Sequence, residues 1–399
     1  MESITYFTVA PSISILFNLG TSVFSVAIEH ETQSTEPMMQ VRIRVIFLVF
    51  KAIFFMTTAV RLKLQIFTGF IVSLCPLFFS IMRKISIAIF AFMLFVGVLS
   101  AQDSREYTKQ YGVYSDEWAK EVISFMADEK FNGREAGTKE NHKIMKFITK
   151  EFKKMGLKPE IQKITSESLT AAIGEPRKGK VYPAKMNNVL ARIEGKNPNM
   201  LVVVGAHYDH LGNKPGIGIH PGADDNASGI VALLSLAKMM VASGITPEYT
   251  VVFCAWDGEE KGLLGSKYFV ADWYANRTAA DSICRYMNFD MVGRCDDPAK
   301  PTTTFAWNDN FPSLKEDCDL VYETIDKPFT VIYDRRVGDG KGGSDYAPFS
   351  KNNIPFVAWM EESLHEDYHK PGDTPDKICW ERLHKTVLLA YGILYRWVD

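Results

Sequence analysis

The amino-acid sequence predicts an α/β protein of three layers, in which helices cover both faces of a mostly parallel, mixed central sheet. The continuous apolar run 201–204 is typical of a strand buried on both faces. Similar runs alternate along the chain with segments of helical periodicity, as in layered α/β folds. Polar side chains directly follow several of these runs, which is the arrangement found at the carboxyl edge of open α/β sheets.

The N-terminal region divides at Met82. Residues 1–81 contain an apolar stretch interrupted by Arg and Lys, and it lacks an uncharged segment of the roughly 20 residues that a spanning helix needs. From Met82, two basic residues, the apolar run 85–99 and a small-residue site form the pattern of a secretory signal peptide. We therefore predict that residues 1–81 are an over-extended N-terminus or a membrane-associated segment and not a folded domain, and that 82–101 is a signal peptide.

Residues 102–399 are predicted to form one exported catalytic domain, periplasmic or secreted, which is membrane-anchored only if residues 1–81 are translated. The net charge of -2 and the lack of a basic stripe with interleaved aromatics argue against nucleic-acid partners. No stable membrane association of the mature domain is expected. Six cysteines without a Cys-x-x-Cys pair allow one or two disulfides, whose pairing stays open, as does the oligomeric state.

The elements follow from periodicity and from turn residues. Residues 115–156 read as two helices, the first capped by Ser115 and the second ending near Gly156. A strand is expected at 188–193, and the turn 195–199 separates it from the apolar run described above. The later predicted elements are, in order, a helix at 229–243, a strand at 249–256, a helix at 263–273, a strand at 284–289, a helix at 312–326, a strand at 354–360 and an amphipathic helix at 383–397.

Three apolar runs end in side chains of the types that bind metals. These are His207 with Asp209, Glu259 with Glu260, and Asp290. Asp225 and His369 lie on loops that are able to reach the same sheet edge. Because histidine and carboxylate side chains are ligands for a metal such as zinc, the sequence predicts a shared metal site at this edge.

Five motifs carry a family resemblance. They are GAHYDH, GADDNASG, WDGEEKGLLGS, NFDMVG and YHKPGDT, in that order. Together they resemble the motifs of the M28 zinc peptidases, the aminopeptidase-like metallopeptidases, and the resemblance covers roughly residues 115–399. It implies an exported zinc aminopeptidase with two zinc ions per chain, which removes N-terminal residues from peptide substrates.

The resemblance also implies a metal ligand set. Asp225 would bridge the two ions. His207 and Asp290 would hold one ion, and Glu260 and His369 would hold the other.

Three further roles follow from the same resemblance. Glu259 would be the general base, Tyr368 would steady the oxyanion, and Asp209 would orient His207. His210, His220 and His365 are not expected to be ligands. One departure from the family pattern is Tyr346, which stands where relatives often have His, and it puts the chemistry of the substrate pocket in question.

Three alternatives stay open at this point. A glutaminyl cyclase on the same fold usually alters the segment that corresponds to 224–229, which is intact here. A carboxypeptidase would need a cation for the substrate carboxylate, and Arg294, Arg335 and Arg336 are candidates. A non-catalytic binding domain would be expected to have lost metal ligands, and all five are present.

Overall fold

The chain divides into two units, Met1–Leu94 and Phe95–Asp399. The computed structural model describes residues 5–9, 12–19, 22–29, 106–334, 343–361 and 364–399. In the first unit, β1 (Thr5–Val9), β2 (Ser12–Leu19) and β3 (Ser22–Glu29) form an antiparallel sheet. The predicted signal peptide lies outside the described residues. The interpretation of residues 1–81 as an over-extended or membrane-associated segment stays a prediction.

The second unit is built on an eight-stranded mixed sheet. Its strands are β4 (Glu160–Thr165), β5 (Lys185–Ile193), β6 (Asn197–His207), β9 (Tyr249–Trp256), β10 (Ser282–Phe289), β11 (Thr302–Trp307), β12 (Thr330–Asp334) and β13 (Phe356–Met360). A hairpin of β7 (Asn213–Lys214) and β8 (Gly218–Ile219) stands apart from the sheet. The strand order is β12-β11-β13-β10-β6-β9-β5-β4. The four central strands, β13 to β9, are parallel, and antiparallel pairs flank them, which confirms the predicted sheet.

Helices cover both faces of this sheet. They are α1 (Asp116–Met126), α2 (Lys139–Lys154), α3 (Ser166–Ile173), α4 (Gly229–Ser243), α5 (Leu264–Asn276), α6 (Ser313–Tyr322), α7 (Ala347–Lys351) and α8 (Trp380–Val398). Alternate side chains of β6 enter separate cores: Val202 and Val204 pack with α4 and α8, whereas Leu201 and Val203 pack with α5 and α7. The three-layer prediction is therefore confirmed.

Local signals place the helix ends where the sequence predicts them. The Ser115 hydroxyl accepts a hydrogen bond from the Trp118 N–H at 3.2 Å and begins α1. Gly156, with a φ of +84°, follows the end of α2. Two predicted elements are shorter than expected: α6 ends at Tyr322, and β13 begins only after Pro355, which has no N–H to donate.

One helical segment of the described residues, Ala223–Ser243, is long and apolar enough to cross a membrane by length and composition. About four fifths of its apolar window (78%) is buried inside the domain, where it covers the central strands. This is the burial expected of a core helix.

Candidate metal centre

The central parallel strands bring three of the predicted metal-binding segments to one sheet edge. His207 is the last residue of β6 and lies opposite Trp256, the last residue of β9, across a parallel pair. Glu259 and Glu260 follow β9 within four residues, and Asp290 directly follows β10. Because these strands run in parallel, their carboxyl ends meet, and the side chains that follow them converge.

Asp225 reaches this edge on the irregular turn Ala223–Ser228, which Arg134 stabilises by hydrogen bonds. The buried guanidinium donates to the carbonyl oxygens of Tyr208 (2.9 Å), Gly222 (2.6 Å) and Asp225 (3.0 Å). Gly222 has a φ of +60°, and a Cβ there would lie 2.2 Å from the Asp225 carbonyl oxygen. Only glycine therefore fits this turn without displacing Asp225.

The loop of His369 is tied to the Asp225 turn and to the segment after β10. The buried Asp373 carboxylate accepts the N–H groups of Asp224 (2.9 Å) and Asp225 (3.0 Å). A disulfide joins Cys295 to Cys379, with 5.8 Å between their Cα atoms. The sequence left this pairing open. The other described cysteines are free, and Cys75 lies outside the described residues.

Asp225 lies between two histidines, with one oxygen toward each. Its Oδ1 is 3.4 Å from His207 Nε2, and its Oδ2 is 3.3 Å from His369 Nε2. A carboxylate that presents separate oxygens to two ligand sets has the geometry of a bridging ligand.

One candidate metal-binding cluster contains His207, Glu259 and Asp290, whose side-chain donor atoms all lie within 4.8 Å of one another. His207 Nε2 is 3.3 Å from Asp290 Oδ1. Burial lowers the pKa of His207, but the carboxylates of Asp290 and Glu259 outweigh this effect and raise it well above its ordinary value. Ser344, which sequence reasoning did not identify, donates its hydroxyl to Asp290 Oδ2 at 2.6 Å and orients that carboxylate.

The second candidate cluster contains His210, Asp225 and Glu260, and His369 lies beside it. His369 Nε2 lies 3.5 Å from Glu260 Oε2, and His210 Nδ1 lies 2.8 Å from Glu260 Oε1. His210 was not expected near the metal ligands, although it is the second histidine of the motif GAHYDH. Burial lowers its pKa to about 3, so it is neutral at ordinary pH. A neutral imidazole in this position is able to orient Glu260 or to bind a metal itself.

Asp209 acts on the glutamates more directly than on His207. Its carboxylate accepts the N–H groups of Glu259 (3.0 Å) and Glu260 (3.3 Å), and it fixes the turn after β9. Its Oδ1 is 3.7 Å from His207 Nδ1, beyond hydrogen-bond range, whereas the Asp209 carbonyl oxygen is 3.2 Å from that nitrogen.

Tyr368 and Tyr346 occupy different environments. The Tyr368 ring stacks on the His369 ring, with 3.8 Å between centroids, and burial raises the pKa of its phenol. Tyr346 is buried and stacks on Phe356 within the core between the sheet and α7. Tyr346, which stands where relatives often have His, is therefore part of the packed core.

The donor set fits divalent cations. Four carboxylates converge here, of which that of Asp225 is buried and those of Glu259, Glu260 and Asp290 are partly buried. The nearby Arg134 guanidinium donates its hydrogen bonds to backbone carbonyl oxygens. It forms no ion pair with any of these four carboxylates. Buried carboxylates need a compensating cation, and the mixture of imidazole and carboxylate donors suits zinc.

Comparison with known proteins supports the interpretation of the motifs. Residues 188–393, just over half of the chain, match the model of peptidase family M28. Probable leucine aminopeptidase 2 of Aspergillus fumigatus is 34% identical over 42% of this chain and 32% of its own length. The chain spans about a third of the length of the curated relatives it matches first.

Two solved structures share the fold. A zinc aminopeptidase from Bacillus subtilis, BSAP, superposes with a TM-score of 0.56 at 18% identity, over 72% of this chain and 96% of its own. A glutaminyl cyclase from Fimbriiglobus ruber gives a TM-score of 0.54 at 18% identity, over 70% of this chain and 95% of its own. At these identities the likeness concerns the fold alone.

Proposed function

The chain belongs to peptidase family M28, and we propose that it is a two-zinc aminopeptidase that removes N-terminal residues from peptides. The observation that carries the proposal is the position of Asp225, with one carboxylate oxygen toward His207 and the other toward His369. In this proposal Asp225 is shared between the ions, His207 and Asp290 hold one, and Glu260 and His369 hold the other. Bound zinc would acidify a water molecule and polarise the scissile carbonyl.

Glu259 is the proposed general base, which takes a proton from the attacking water and passes it to the leaving amine. Its carboxylate lies in the same cluster as His207 and Asp290. Burial raises its pKa well above the ordinary value, which brings the group closer to the working pH of a general base. Asp209 supports this role by holding the backbone N–H of Glu259.

Tyr368 is the proposed oxyanion donor. Its phenol stays protonated because burial raises its pKa, so it has a proton to donate to the oxygen that becomes negative. Replacing Tyr368 with Phe should lower kcat by about tenfold, with little change in zinc content.

Glutaminyl cyclase is the second candidate, because a cyclase shares the fold at a TM-score of 0.54. The intact segment 224–229 favours the aminopeptidase. For a carboxypeptidase, Arg294 would have to hold the substrate carboxylate, but it already donates to Asp367 Oδ2 at 3.0 Å. Arg335 and Arg336 lie outside the described residues.

Export is part of the proposal. The disulfide between Cys295 and Cys379 supports it, since such bonds persist in oxidising compartments. Peptide mapping of the natural protein by mass spectrometry tests the predicted start at Met82. We expect a mature N-terminus near residue 102, and any peptide from residues 1–81 would contradict that prediction.

The test of function incubates the zinc-loaded protein with short peptides that carry free, acetylated or Gln N-termini, and mass spectrometry identifies the products. We expect stepwise loss of N-terminal residues from the free peptides only. Loss of ammonia from the Gln peptides without cleavage would mean a cyclase, and trimming from the other end would mean a carboxypeptidase. The matched control is Glu259→Gln, which should keep its zinc and lose the activity.

A further inference from the structure

A large groove has Glu260 of the candidate metal centre among its lining residues. It lies between residues 172–182, the start of α5 and the helix α7, and its volume is about 1460 Å³. Pockets for small ligands usually measure roughly 300 to 1000 Å³, so this groove has room for a chain of several residues. Its floor is apolar where Leu263, Val270 and Pro348 line it.

The rim of the groove is strongly cationic. Its lining contains Arg177, Lys180, Lys214, Lys261, Lys267 and Lys351. Against these six cations stand two carboxylates, Glu175 and Glu260. The whole chain has a net charge of -2, so the positive charge is concentrated locally in the groove.

Most of these cations are not neutralised by the protein. Lys261 and Lys214 share one carboxylate, Glu135, and Lys214 Nζ lies 3.6 Å from it. Arg177, Lys180, Lys267 and Lys351 make no ion pair with any carboxylate in the described part of the chain. Four unpaired cations around one groove repel one another, and an anionic ligand would relieve that repulsion.

Lys267 connects the groove with the metal centre. It is half-buried, and burial together with the nearby charges of Arg177 and Lys351 lowers the pKa of its amine. Its Nζ donates a hydrogen bond to the carbonyl oxygen of Gly262 at 2.8 Å, in the turn that follows Glu260. Lys267 therefore lies on the side of the groove that carries the turn after β9.

We propose that this groove binds the part of a peptide that follows the scissile bond and selects peptides with carboxylates there. The inference rests on the proposed aminopeptidase function. The free N-terminal amine of a substrate is positively charged and is disfavoured in a cationic groove, so the groove takes the leaving side of the peptide. Side-chain carboxylates and a C-terminal carboxylate both carry the negative charge that the cations of the groove attract.

The test compares three peptides that share their first two residues. One carries two Asp residues and a C-terminal amide, the second carries two Asn residues and the amide, and the third carries two Asn residues and a free C-terminus. We expect kcat/KM for the Asp peptide to exceed that for the Asn amide by about five- to thirtyfold at low salt. The preference should shrink at high ionic strength because the charges are partly exposed. The third peptide shows whether a terminal carboxylate is sufficient.

Variants assign the preference to the groove. Arg177→Gln, Lys267→Gln and Lys351→Gln should each reduce the ratio of Asp to Asn cleavage by about two- to fivefold. The matched control is Lys178→Gln, because Lys178 is exposed next to Arg177 but does not line the groove. It should leave the ratio unchanged.

Binding to the Glu259→Gln protein separates the two proposals. Fluorescence anisotropy with labelled Asp and Asn peptides needs no turnover. If the Asp peptide binds several-fold more tightly but the wild-type protein cleaves no peptide, the selectivity of the groove for carboxylates holds, whereas the aminopeptidase proposal fails and with it the assignment of the groove to the leaving side. If Asp and Asn peptides are cleaved and bound equally well, the groove proposal is overturned while the aminopeptidase proposal stands.

Discussion

His207, Glu259 and Asp290 lie at or just after the carboxyl ends of central strands, whereas Asp225 and His369 come from loops that other side chains hold in place. The strand group is positioned by the parallel backbone ladder of β6, β9 and β10. The loop group depends on Arg134, on Asp373 and on the disulfide. The backbone of the sheet is therefore sufficient to position the strand group, whereas the position of the loop group depends on a few long-range contacts.

Glu259→Gln should have the largest effect, and it tests the strand group alone. We expect kcat to fall by about 10²- to 10⁴-fold, because the general base is lost while the backbone ladder is unchanged. Steady-state kinetics measures the rate, and metal analysis measures the zinc content. Glu260→Gln is the contrast, since it should lose zinc as well. A Glu259→Gln protein that retains nearly full activity would exclude this residue as the base.

Removal of the disulfide should affect the loop group next. Replacing Cys295 and Cys379 with Ser should lower the free energy of unfolding by about 2–4 kcal/mol, because the bond closes a loop of 84 residues. Urea unfolding with zinc present measures this loss. The partly exposed free Cys284 provides the control, and its replacement with Ser should change little. Equal stability of the double variant and the wild type would show that the loops are held without the bond.

Asp373→Ala should have a smaller effect on the same loops. It leaves the buried N–H groups of Asp224 and Asp225 without an acceptor, at a cost of about 1–3 kcal/mol. Asp373→Asn keeps one acceptor oxygen and should recover part of the loss. Asp376→Ala, at an exposed position in the same loop, is the control and should stay within about 0.5 kcal/mol of the wild type. If Asn is as damaging as Ala, the charge of Asp373 matters more than its hydrogen bonds.

The smallest effect concerns the pH dependence of stability and tests the strand group. In the zinc-free protein, burial opposes protonation of His207, but Asp290 and Glu259 raise its pKa overall, and burial raises the pKa of Glu259. The folded state then binds more protons than the unfolded state, so stability should fall as the pH rises from 6.5 to 8.5, by on the order of 1 kcal/mol. His210, with its lowered pKa, is neutral in the folded state but partly protonated in the unfolded state near pH 6.5, so it offsets a small part of this fall in stability.

Thermal unfolding of the zinc-free and zinc-loaded protein checks this expectation. Bound zinc should remove the fall in stability between pH 6.5 and 8.5, because it keeps His207 and the neighbouring carboxylates deprotonated at every pH in this range. A zinc-free protein that is as stable at pH 8.5 as at pH 6.5 would mean that the carboxylates are compensated in some other way.

The same division explains what the sequence predicted. The strand group was visible because its residues lie close after apolar runs, and that pattern also predicted the mixed three-layer fold. Asp225 and His369 were predicted from the family motifs that contain them. Arg134, Ser344 and the pairing of Cys295 were not visible, because each contacts residues at least 50 positions away and carries no local signal. His210 had a signal, its place in a histidine motif, but the choice between it and His369 requires three-dimensional distances.

The disulfide also determines what happens if the chain is cut. Cys295 and Cys379 close a ring that contains β11, β12 and β13 as well as His369. A single backbone break anywhere within this ring leaves Asp290 and His369 covalently joined, either through the chain or through the bond. A nicked molecule should therefore keep both residues in one piece and separate into fragments only after reduction. The ring therefore makes the pairing of these two residues tolerant of a single backbone cut.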